Sequence, residues 1–396
     1  EAPPTVCSPL AARCAPAPDG ALLQPPRLSE HGAAYDEATT TMVVFGGTTG
    51  VPENCDPAVA AAFVDDTWLY DDTCGRWEQL DVEGPNARGR HAMAAGGGSV
   101  WMFGGRWRAD GATSGTYDMF GDLWRFDPVA RTWTRSQATG PSPRANATLV
   151  WDSTRERLVL FGGNMSASGA SIVPLDDVWF YSPADDAWTQ AATGAGPAAR
   201  LAAAGLYDAA RDQLVVFGGF DTLAFEGDVS YFDDVWALDL ESLAWQRLGR
   251  GVGPDGRFGA AWVHDTTLDS YVLFGGHDDQ VLGNRNDTWV FVPSSNAWAI
   301  VGLGDAFNAP QIGFCEFPPD FTTVDRAFPE RRNYHTMVWS QTCGRGLVFG
   351  GKTDCGASND VWTYRDEAWQ NAVAATSGEV CARFRSNIDN CANLCF

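Results

Sequence analysis

The stretch Leu158 to Gly163 reads LVLFGG, and residues 177–179, which follow it, read DVW. Arg144 precedes the first stretch, and Trp188 follows the DVW tryptophan after nine residues. The same order of arginine, hydrophobic-Gly-Gly, Asp-x-Trp and tryptophan occurs six times along the chain. Any single Gly-Gly or tryptophan is weak evidence, but six ordered copies predict a repeat architecture.

The six copies keep a nearly constant spacing. The first glycines of the pairs are 58, 58, 56, 57 and 75 residues apart, and they are Gly46, Gly104, Gly162, Gly218, Gly275 and Gly350. The Asp-x-Trp aspartates are Asp66, Asp122, Asp177, Asp234, Asp287 and Asp360. The arginines are Arg88, Arg144, Arg200, Arg257 and Arg332 in strict register, with Arg27 displaced by one residue. The second tryptophans are Trp77, Trp133, Trp188, Trp245, Trp298 and Trp369.

Each period contains four β-rich runs separated by turn residues, which predicts a four-stranded antiparallel sheet. A twisted sheet of four strands cannot bury both faces alone, so the copies are expected to stack radially. The tryptophans would fill the space between neighbouring sheets, and the glycine pairs would permit a close approach of the backbone. Helical periodicity is nearly absent from the sequence.

This order of residues resembles the kelch repeat over residues 27 to 372. The resemblance implies an all-β, six-bladed kelch β-propeller with four antiparallel strands per blade, named a to d in chain order. The propeller is expected over 27–373, with an insertion at about 301–328 between blades 5 and 6. Residues 1–26 form a Cys-containing N-terminal extension, and 374–396 a Cys-rich C-terminal tail. Each blade comes from one continuous stretch, so no strand exchange between the termini is expected.

The net charge of −23 over 396 residues argues against nucleic acid and against anionic membrane surfaces as partners. No apolar run reaches the roughly 18 residues that span a bilayer, so no membrane insertion is expected. The acidic surface has two interpretations: it confers solubility, or it binds cations or a basic partner.

The ten cysteines form no CxxC pair, which favours disulfides in a secreted, extracellular or periplasmic protein over a zinc site. We predict that Cys74 pairs with Cys343, locking the first blade to the last, and that Cys315 pairs with Cys355. Cys55 is the alternative partner of Cys74. The sequons at Asn146, Asn164 and Asn286 are candidate glycosylation sites.

The connections between strands point to one functional face. In an up-and-down sheet the b–c and d–a connections share one rim, and the a–b and c–d turns share the other. The b–c connections are long and dissimilar, and variable loops on a rigid scaffold usually carry binding. The insertion on this rim contains Phe314, Phe317 and Phe321, which either anchor a protein partner or pack against their own loop.

The six repeated arginines also have two interpretations. As a ring at the mouth of a channel they would bind a carboxylate or sulfate. As structural groups each would pair with the Asp-x-Trp aspartate of its own blade, because buried charges need partners. The one-to-one register of arginine with aspartate favours the structural interpretation.

Catalytic motifs are not evident. Three of the five histidines, His31, His91 and His335, occupy a position that is alanine in the other copies, which favours packing over metal ligation. A copper radical site like that of galactose oxidase cannot be assembled. The iron motif of plant specifier proteins is Glu-x-x-x-Asp-x-x-x-His. This chain has Glu316 and Asp320 at the first two motif positions but Val324 where the histidine would stand. We therefore expect no metal and no cofactor.

The sequence thus predicts a non-enzymatic secreted propeller that binds a protein or glycan through the rim of b–c and d–a connections, alone or as a subunit of an extracellular assembly. The alternative is a metal-free carbohydrate-active enzyme similar to the six-bladed bacterial sialic-acid mutarotases, which use an arginine with an acid.

Overall fold

The computed structural model describes residues 7, 14, 23–49, 62–109, 116–168, 171–222, 231–278, 283–307, 322–353 and 356–376. Within these residues the regular structure is β-structure, as the sequence predicts. Six of the sheets have four antiparallel strands each, in the order a-b-c-d, and every one of these sheets takes its strands from one continuous stretch. None of the described residues belongs to a helix that could cross a membrane.

The strands of the six sheets are short and evenly spaced. Sheet 1 consists of Gly32–Asp36, Thr41–Phe45, Thr67–Asp71 and Arg76–Leu80. Sheet 2 consists of Ala92–Gly96, Ser99–Phe103, Leu123–Asp127 and Thr132–Arg135. Sheet 3 consists of Thr148–Asp152, Arg157–Asn164, Pro174–Ser182 and Ala187–Gln190. Sheet 4 consists of Ala204–Asp208, Gln213–Phe217, Val235–Asp239 and Trp245–Leu248. Sheet 5 consists of Ala261–Asp265, Ser270–Phe274, Thr288–Val292 and Ala297–Gly302, and sheet 6 of Thr336–Ser340, Arg345–Phe349, Val361–Arg365 and Ala368–Val373.

The two ends of the strands define two faces. The b–c and sheet-to-sheet connections leave from one, which we call the connection face, and the a–b and c–d turns form the other, the turn face. Short strands extend the connection face: Arg106–Trp107 with Asp118–Met119, His277–Asp278 with Gly283–Asn284, Ala306–Phe307 with Thr322–Thr323, and the group Arg332–Asn333, Lys352–Thr353 and Gly356–Ala357.

The b strands are buried on both sides because each sheet is covered by its neighbours. Met42, Val43, Val44 and Phe45 of sheet 1 are all fully buried. Such an unbroken apolar run is the pattern expected of a strand with two covered faces. The apolar residues therefore form cores between sheets, and each core combines residues from two neighbouring sheets.

The second tryptophan of each copy fills the space between its own sheet and the preceding one. Trp133 of sheet 2 packs edge-on against Phe45 of sheet 1, with 5.3 Å between ring centroids. Trp77 of sheet 1 packs on Phe349 of sheet 6 in a tilted arrangement, with 4.7 Å between ring centroids. The first sheet therefore contacts the last, and the strands a of successive sheets contact one another in the same cyclic order.

Each glycine pair lets the backbone of the following sheet come close. Gly46 and Gly47 both have positive φ, at 64° and 100°. A Cβ on Gly46 would lie 2.6 Å from the carbonyl oxygen of Arg88 in the next sheet. The amide of Gly47 donates to that same carbonyl at 2.8 Å, so a side chain would break the contact between the two sheets.

The prediction that Cys74 pairs with Cys343 is wrong. Cys343 is bonded to Cys7 and Cys74 to Cys14, with Cα–Cα distances of 5.4 and 5.3 Å. The prediction assumed that the N-terminal extension stays on the connection face. The nine Cα–Cα steps from Cys14 to Leu23 can span about 30 Å in extended backbone, which exceeds the length of a five-residue strand. The extension therefore reaches the turn face and ties sheet 6 to sheet 1 through its own backbone.

Removing the disulfide that closes the longer loop, Cys7–Cys343, is expected to destabilise the folded protein. The double variant Cys7→Ser/Cys343→Ser should lower the free energy of unfolding by about 2–4 kcal/mol in a guanidinium titration without reductant. Its matched control is Cys14→Ser/Cys74→Ser. The Cys14–Cys74 bond closes a shorter loop, with a sequence separation of 60 against 336. Removing it should therefore lower the free energy of unfolding by about 1.5 kcal/mol less, on the chain-entropy model. Equal stability of the wild type and the Cys7 variant would contradict the assignment.

Several predictions fall outside the described residues. They include the Cys315–Cys355 pair and the three phenylalanines Phe314, Phe317 and Phe321 of the insertion. The alternative pairing of Cys55 with Cys74 is wrong, because Cys74 is bonded to Cys14. Most of the N-terminal extension and nearly all of the C-terminal tail are also outside. At the ends of the insertion, Ala306–Phe307 pairs with Thr322–Thr323 as a two-stranded antiparallel ribbon.

Candidate binding face

The Arg, Gly-Gly and Asp-x-Trp elements of each copy form one hydrogen-bonded network. In sheet 4 the guanidinium of Arg200 donates to the two carboxylate oxygens of Asp234 at 2.7 and 3.3 Å. It also donates to the carbonyl of Gly218 at 3.0 Å, and the indole nitrogen of Trp236 donates to Asp234 at 2.7 Å. Burial alone would raise the pKa of Asp234, but the hydrogen bonds from Arg200 lower it.

The network recurs in sheets 2 to 6. The other ion pairs are Arg88–Asp122, Arg144–Asp177, Arg257–Asp287 and Arg332–Asp360, at 2.5–2.7 Å. All five arginines are at most 2% exposed. The interpretation of these five side chains as a ligand-binding ring is therefore wrong, because each guanidinium is enclosed and bidentately paired within its own sheet.

Sheet 1 departs from this arrangement because Arg27 is displaced by one residue. Arg27 donates to the carbonyl of Ala357, in the b–c connection of sheet 6, at 3.3 Å. Asp66, the aspartate of this sheet, instead accepts a hydrogen bond from the amide of Gln79 at 2.8 Å. The displaced arginine thus helps to join the first sheet to the last.

Six residues at equivalent positions just before strand a have a left-handed backbone conformation. Each follows its repeated arginine by two positions, or by three after Arg27. The φ angles lie between 47° and 60° for Glu30, Arg90, Asn146, Ala202, Gly259 and Tyr334. The backbone amide of each of these residues donates to the backbone carbonyl of the equivalent residue in the preceding sheet. The series begins with Arg90 donating to Glu30 and continues to Tyr334, which donates to Gly259. Glu30 donates to Tyr334, so the six hydrogen bonds, of 2.7–3.2 Å, form a closed cycle.

These six residues line a cavity on the connection face, which we call the mouth cavity, of about 130 Å³. Its walls are unequal. Sheets 6, 1 and 2 contribute charged, aromatic and imidazole side chains, namely Glu30, His31, Arg90, His91, Tyr334 and His335. Sheets 3 to 5 contribute mostly small residues, namely Asn146, Ala147, Ala202, Ala203, Gly259 and Ala260.

A basic cluster borders the charged side of the mouth cavity. Arg90 donates to Glu30 at 2.5 Å, and Arg106 lies 3.5 Å from the same carboxylate. The guanidiniums of Arg106 and Arg108 both face the ring of Tyr117, at 4.0 and 4.9 Å from its centroid. We call these five residues the basic cluster, although it includes one acid and one tyrosine.

The charges of the cluster perturb one another. Burial would raise the pKa of Glu30, but Arg90 and Arg106 lower it to about 2. Burial, and then the like charge of Arg90, lower the pKa of Arg106. A carboxylate held at so low a pKa is a weak general base near neutral pH, so the acid beside these arginines is poorly suited to proton transfer.

The three histidines of the mouth are packed against aromatic rings. His31, His91 and His335 lie edge-on to Phe349, Phe45 and Phe274 of the preceding sheets, with centroid distances of 4.9–5.6 Å. Burial lowers the pKa of His31 and of His91 to about 3, and that of His335 also falls well below its usual value. They are therefore neutral near pH 7, and their contacts agree with a packing role.

Charged side chains on the turn face form ion pairs between neighbouring sheets. Arg155 and Arg211 each bridge to an aspartate of the next sheet, Asp212 and Asp269, at 2.7 and 2.6 Å. Asp208, His264 and Asp269 come close enough to share a cation. However, Arg211 already donates to both of these carboxylates, so a guanidinium supplies the positive charge there.

Two of the three sequons lie at buried positions. Asn164 and Asn286 are buried, and the amide of Asn286 donates to Asp305 and to the carbonyl of Pro329. A glycan on either side chain would displace these buried contacts. Asn146 is half-buried in the lining of the mouth cavity, and its glycosylation stays a prediction.

Sequence reasoning missed the basic cluster. Glu30 and Arg90 occupy a position that is regular in conformation but different in identity in every copy, so a search for repeated residues passes over it. The signal in the sequence was that the residue type at this position differs in every copy, although the spacing around it is constant. Arg106, Arg108 and Tyr117 lie in the b–c connection of sheet 2, whose sequence differs from that of the other b–c connections.

Comparison with known proteins agrees with the repeat. The family model of the KLHDC2/KLHL20/DRC7 Kelch-repeats domain matches residues 14–200 and 148–311. The chain belongs to the kelch-repeat family. The sixth copy, which includes Arg332 and Trp369, lies beyond the matched residues but carries the same network.

Two relatives show how widely this domain is used. The flagellar outer-arm dynein alpha chain of Chlamydomonas reinhardtii is 28% identical over 220 residues, 51% of this chain and 4% of the dynein. The N-(sulfonatooxy)prop-2-enimidothioate sulfolyase of Thlaspi arvense is 25% identical over 244 residues, 58% of this chain and 66% of the sulfolyase. The matched region is thus less than two thirds of either relative.

Proposed function

We propose that the six sheets are the blades of one closed propeller that binds a macromolecular partner, protein or glycan, outside the cytoplasm. Support for closure comes from three cyclic sets of contacts: the tryptophan packing, the glycine-pair hydrogen bonds and the hydrogen-bond cycle at the mouth. Support for an oxidising compartment comes from the two disulfides, which do not persist in a reducing cytosol.

The observation that carries the binding function is the difference between the two faces. On the turn face the charged residues form inter-sheet ion pairs, as Arg131 does with Glu78. On the connection face the basic cluster borders a cavity, and its arginines outnumber its acid by three to one among the described residues. Rigid scaffolds commonly carry binding residues on such connections, and kelch domains generally mediate protein interactions.

Exposed apolar side chains on the connection face support the same proposal. Met165 and Val173 flank the b–c connection of sheet 3 and are 44% and 46% exposed. Such side chains on dissimilar loops suit the core of an interface, where apolar residues are desolvated. Enzymatic sugar chemistry of the mutarotase type is the second candidate, and the low pKa of Glu30 disfavours it.

A pair of matched double variants tests which face binds. Met165→Asp/Val173→Asp places two charges on the connection face. Val129→Asp/Leu268→Asp does the same on turns of the opposite face, where these residues are 79% and 58% exposed. Immobilised wild type and variants are incubated with the extracellular medium of the source cells, and bound molecules are identified by mass spectrometry.

We expect a molecule that the wild type and the turn-face variant retain and that the connection-face variant loses at least tenfold. Thermal melting of each variant checks that folding is unchanged. Loss in the turn-face variant alone would contradict the proposal, as would equal retention by all three proteins.

A further inference from the structure

We propose that the outer edge of sheet 5 is a contact surface between two copies of this chain, which pair their d strands Ala297–Gly302 in antiparallel orientation about a two-fold axis. Strand d is the outermost strand of each sheet, because the order within a sheet is a-b-c-d and the a strands of neighbouring sheets contact one another. The surface therefore lies on the perimeter of the molecule, away from the mouth cavity. The inference goes beyond the proposed function and does not depend on it.

Two positions on strand d distinguish sheet 5 from the other five sheets. They follow the second tryptophan by one and two residues, and the residue at each is exposed in all six sheets. The other five sheets have polar or charged residues at both positions, namely Glu78 and Gln79, Thr134 and Arg135, Thr189 and Gln190, Gln246 and Arg247, and Gln370 and Asn371. Sheet 5 has Ala299 and Ile300. Polar and charged side chains protect an edge strand that faces water, so their absence from sheet 5 indicates an edge that meets another surface.

Apolar side chains beside this strand enlarge the uncharged surface. Val252 and Leu303 are 83% and 76% exposed, and Ile300 is 42% exposed. Leu303 directly follows the strand. Val252 lies next to it, because a Cβ on the adjoining Gly253 would be 2.7 Å from the indole of Trp298, and Ile300 is on the same side of the sheet as Trp298. Single exposed apolar residues are ordinary, but a group of them marks an interaction surface.

The backbone of the strand is available for further pairing. On one side it pairs with strand c, Thr288–Val292, and residues 298–302 have no backbone partner on the other side among the described residues. Arg250 forms a parallel bridge with Ala297, so only the beginning of the edge is covered. An edge of this kind accepts an additional strand through main-chain hydrogen bonds.

The distribution of charge favours a second copy of the chain as the occupant. Residues 297–304 contain no charged side chain, in a chain whose net charge is −23. Two copies repel each other wherever acidic surfaces meet, so an uncharged edge is where they can approach. The edge has no charge with which to select an acidic or a basic partner, whereas an identical strand matches it in length and polarity. Antiparallel pairing of identical strands generates a two-fold axis and is complete with two copies.

The dimer is expected to be reversible. A stable interface takes about 20–30 residues from each partner, and strand d with its flanking side chains supplies fewer. A bulge opposite Thr288 and Trp289 also limits the regular pairing to the first part of the strand. The fraction of dimer should therefore rise with protein concentration and fall on dilution.

Sedimentation velocity of the folded, disulfide-bonded chain over a hundredfold range of concentration measures the association. The test variant is Ile300→Arg, which introduces the residue type that sheets 2 and 4 have at this position. The matched control is Gln190→Arg, the substitution of arginine at the equivalent exposed position of sheet 3. Thermal melting checks that both variants fold as the wild type does.

We expect the wild type and the Gln190 variant to dimerise alike, and the Ile300 variant to need at least a tenfold higher concentration, because the contact would desolvate its guanidinium. Hydrogen–deuterium exchange locates the contact. The amides of residues 298–302 should exchange more slowly at high protein concentration than at low concentration, and those of strand Ala187–Gln190 should exchange at the same rate at both.

Three results would overturn the inference: a wild type that stays monomeric over the whole range, equal dimerisation by the two variants, or slowed exchange at a place other than strand d of sheet 5. The first would leave the edge to a different occupant, and the other two would assign the dimer to another surface. If Ile300→Arg failed to fold, the exchange measurement on the wild type would decide by itself. None of these results bears on the partner capture, which depends on Met165 and Val173 of sheet 3.

Discussion

The variant Arg200→Ala is expected to lose about 3–5 kcal/mol of its free energy of unfolding, the range typical of a buried ion pair that loses one partner. The substitution leaves the carboxylate of Asp234 and the carbonyl of Gly218 without the donor that now serves both. It also opens space beside Phe232, whose ring lies 4.0 Å from the guanidinium. Chemical denaturation of the disulfide-bonded protein measures the loss.

Two comparisons separate the buried pair from charge in general. Arg131→Ala removes an exposed pair with Glu78 and should cost less than about 1 kcal/mol. The double variant Arg200→Ala/Asp234→Ala should lose less than the sum of its two single variants, because the orphaned carboxylate is gone. A cost for Arg200→Ala no larger than that for Arg131→Ala would show that the network does not stabilise the sheet.

Lowering the pH from 7 to 5 should reduce the free energy of unfolding by about 4 kcal/mol, or about 2 kcal/mol for each of His31 and His91. His335, whose pKa burial also lowers, acts in the same direction. Burial lowers the pKa of His31 and His91 to about 3, whereas an unfolded chain binds these protons near pH 6.5. The stabilisation is therefore complete above pH 6.5 and is lost progressively as the pH falls toward 3. Urea titrations at pH 7, 6 and 5 give the slope directly.

The chain supplies its own control, because alanine occupies the histidine position in sheets 3 to 5. The variant His91→Ala should lose about 2 kcal/mol of the pH dependence between pH 7 and 5 while retaining the remainder. Glu30, whose pKa is lowered to about 2, contributes only below about pH 4.5 and does not obscure this range. A free energy of unfolding that is constant between pH 7 and 5 would contradict the buried, neutral histidines.

The repeated residues predicted the sheets because they are the parts of one physical unit. An arginine, a glycine pair and an aspartate recur together since the guanidinium of Arg200 contacts Gly218 and Asp234 simultaneously. A contact of that kind imposes the same residues at the same spacing in every copy. The structure therefore confirms four-stranded antiparallel sheets at the positions that the pattern marks.

Features that occur once could not be predicted in the same way. Cys7 and Cys14 lie in a segment without repeats, so nothing in the spacing shows that it crosses to the turn face. The basic cluster was hidden for a related reason. Glu30 and Arg106 meet only because two sheets bring a strand entry and a connection together, and their separation of 76 residues has no periodic counterpart.

In the proposed closed ring, the contact of sheet 1 with sheet 6 gives each of the six described sheets two neighbours, so none of these six sheets is an end unit. In a linear array the outermost repeats fray first, and repeats can be added or removed one at a time. Here the loss of any one sheet would expose the apolar surfaces of its two neighbours. Deleting one repeat from the gene would change the angle between neighbouring sheets at every remaining interface. The number of repeats is therefore expected to be inherited as a block, while diversity accumulates in the connections.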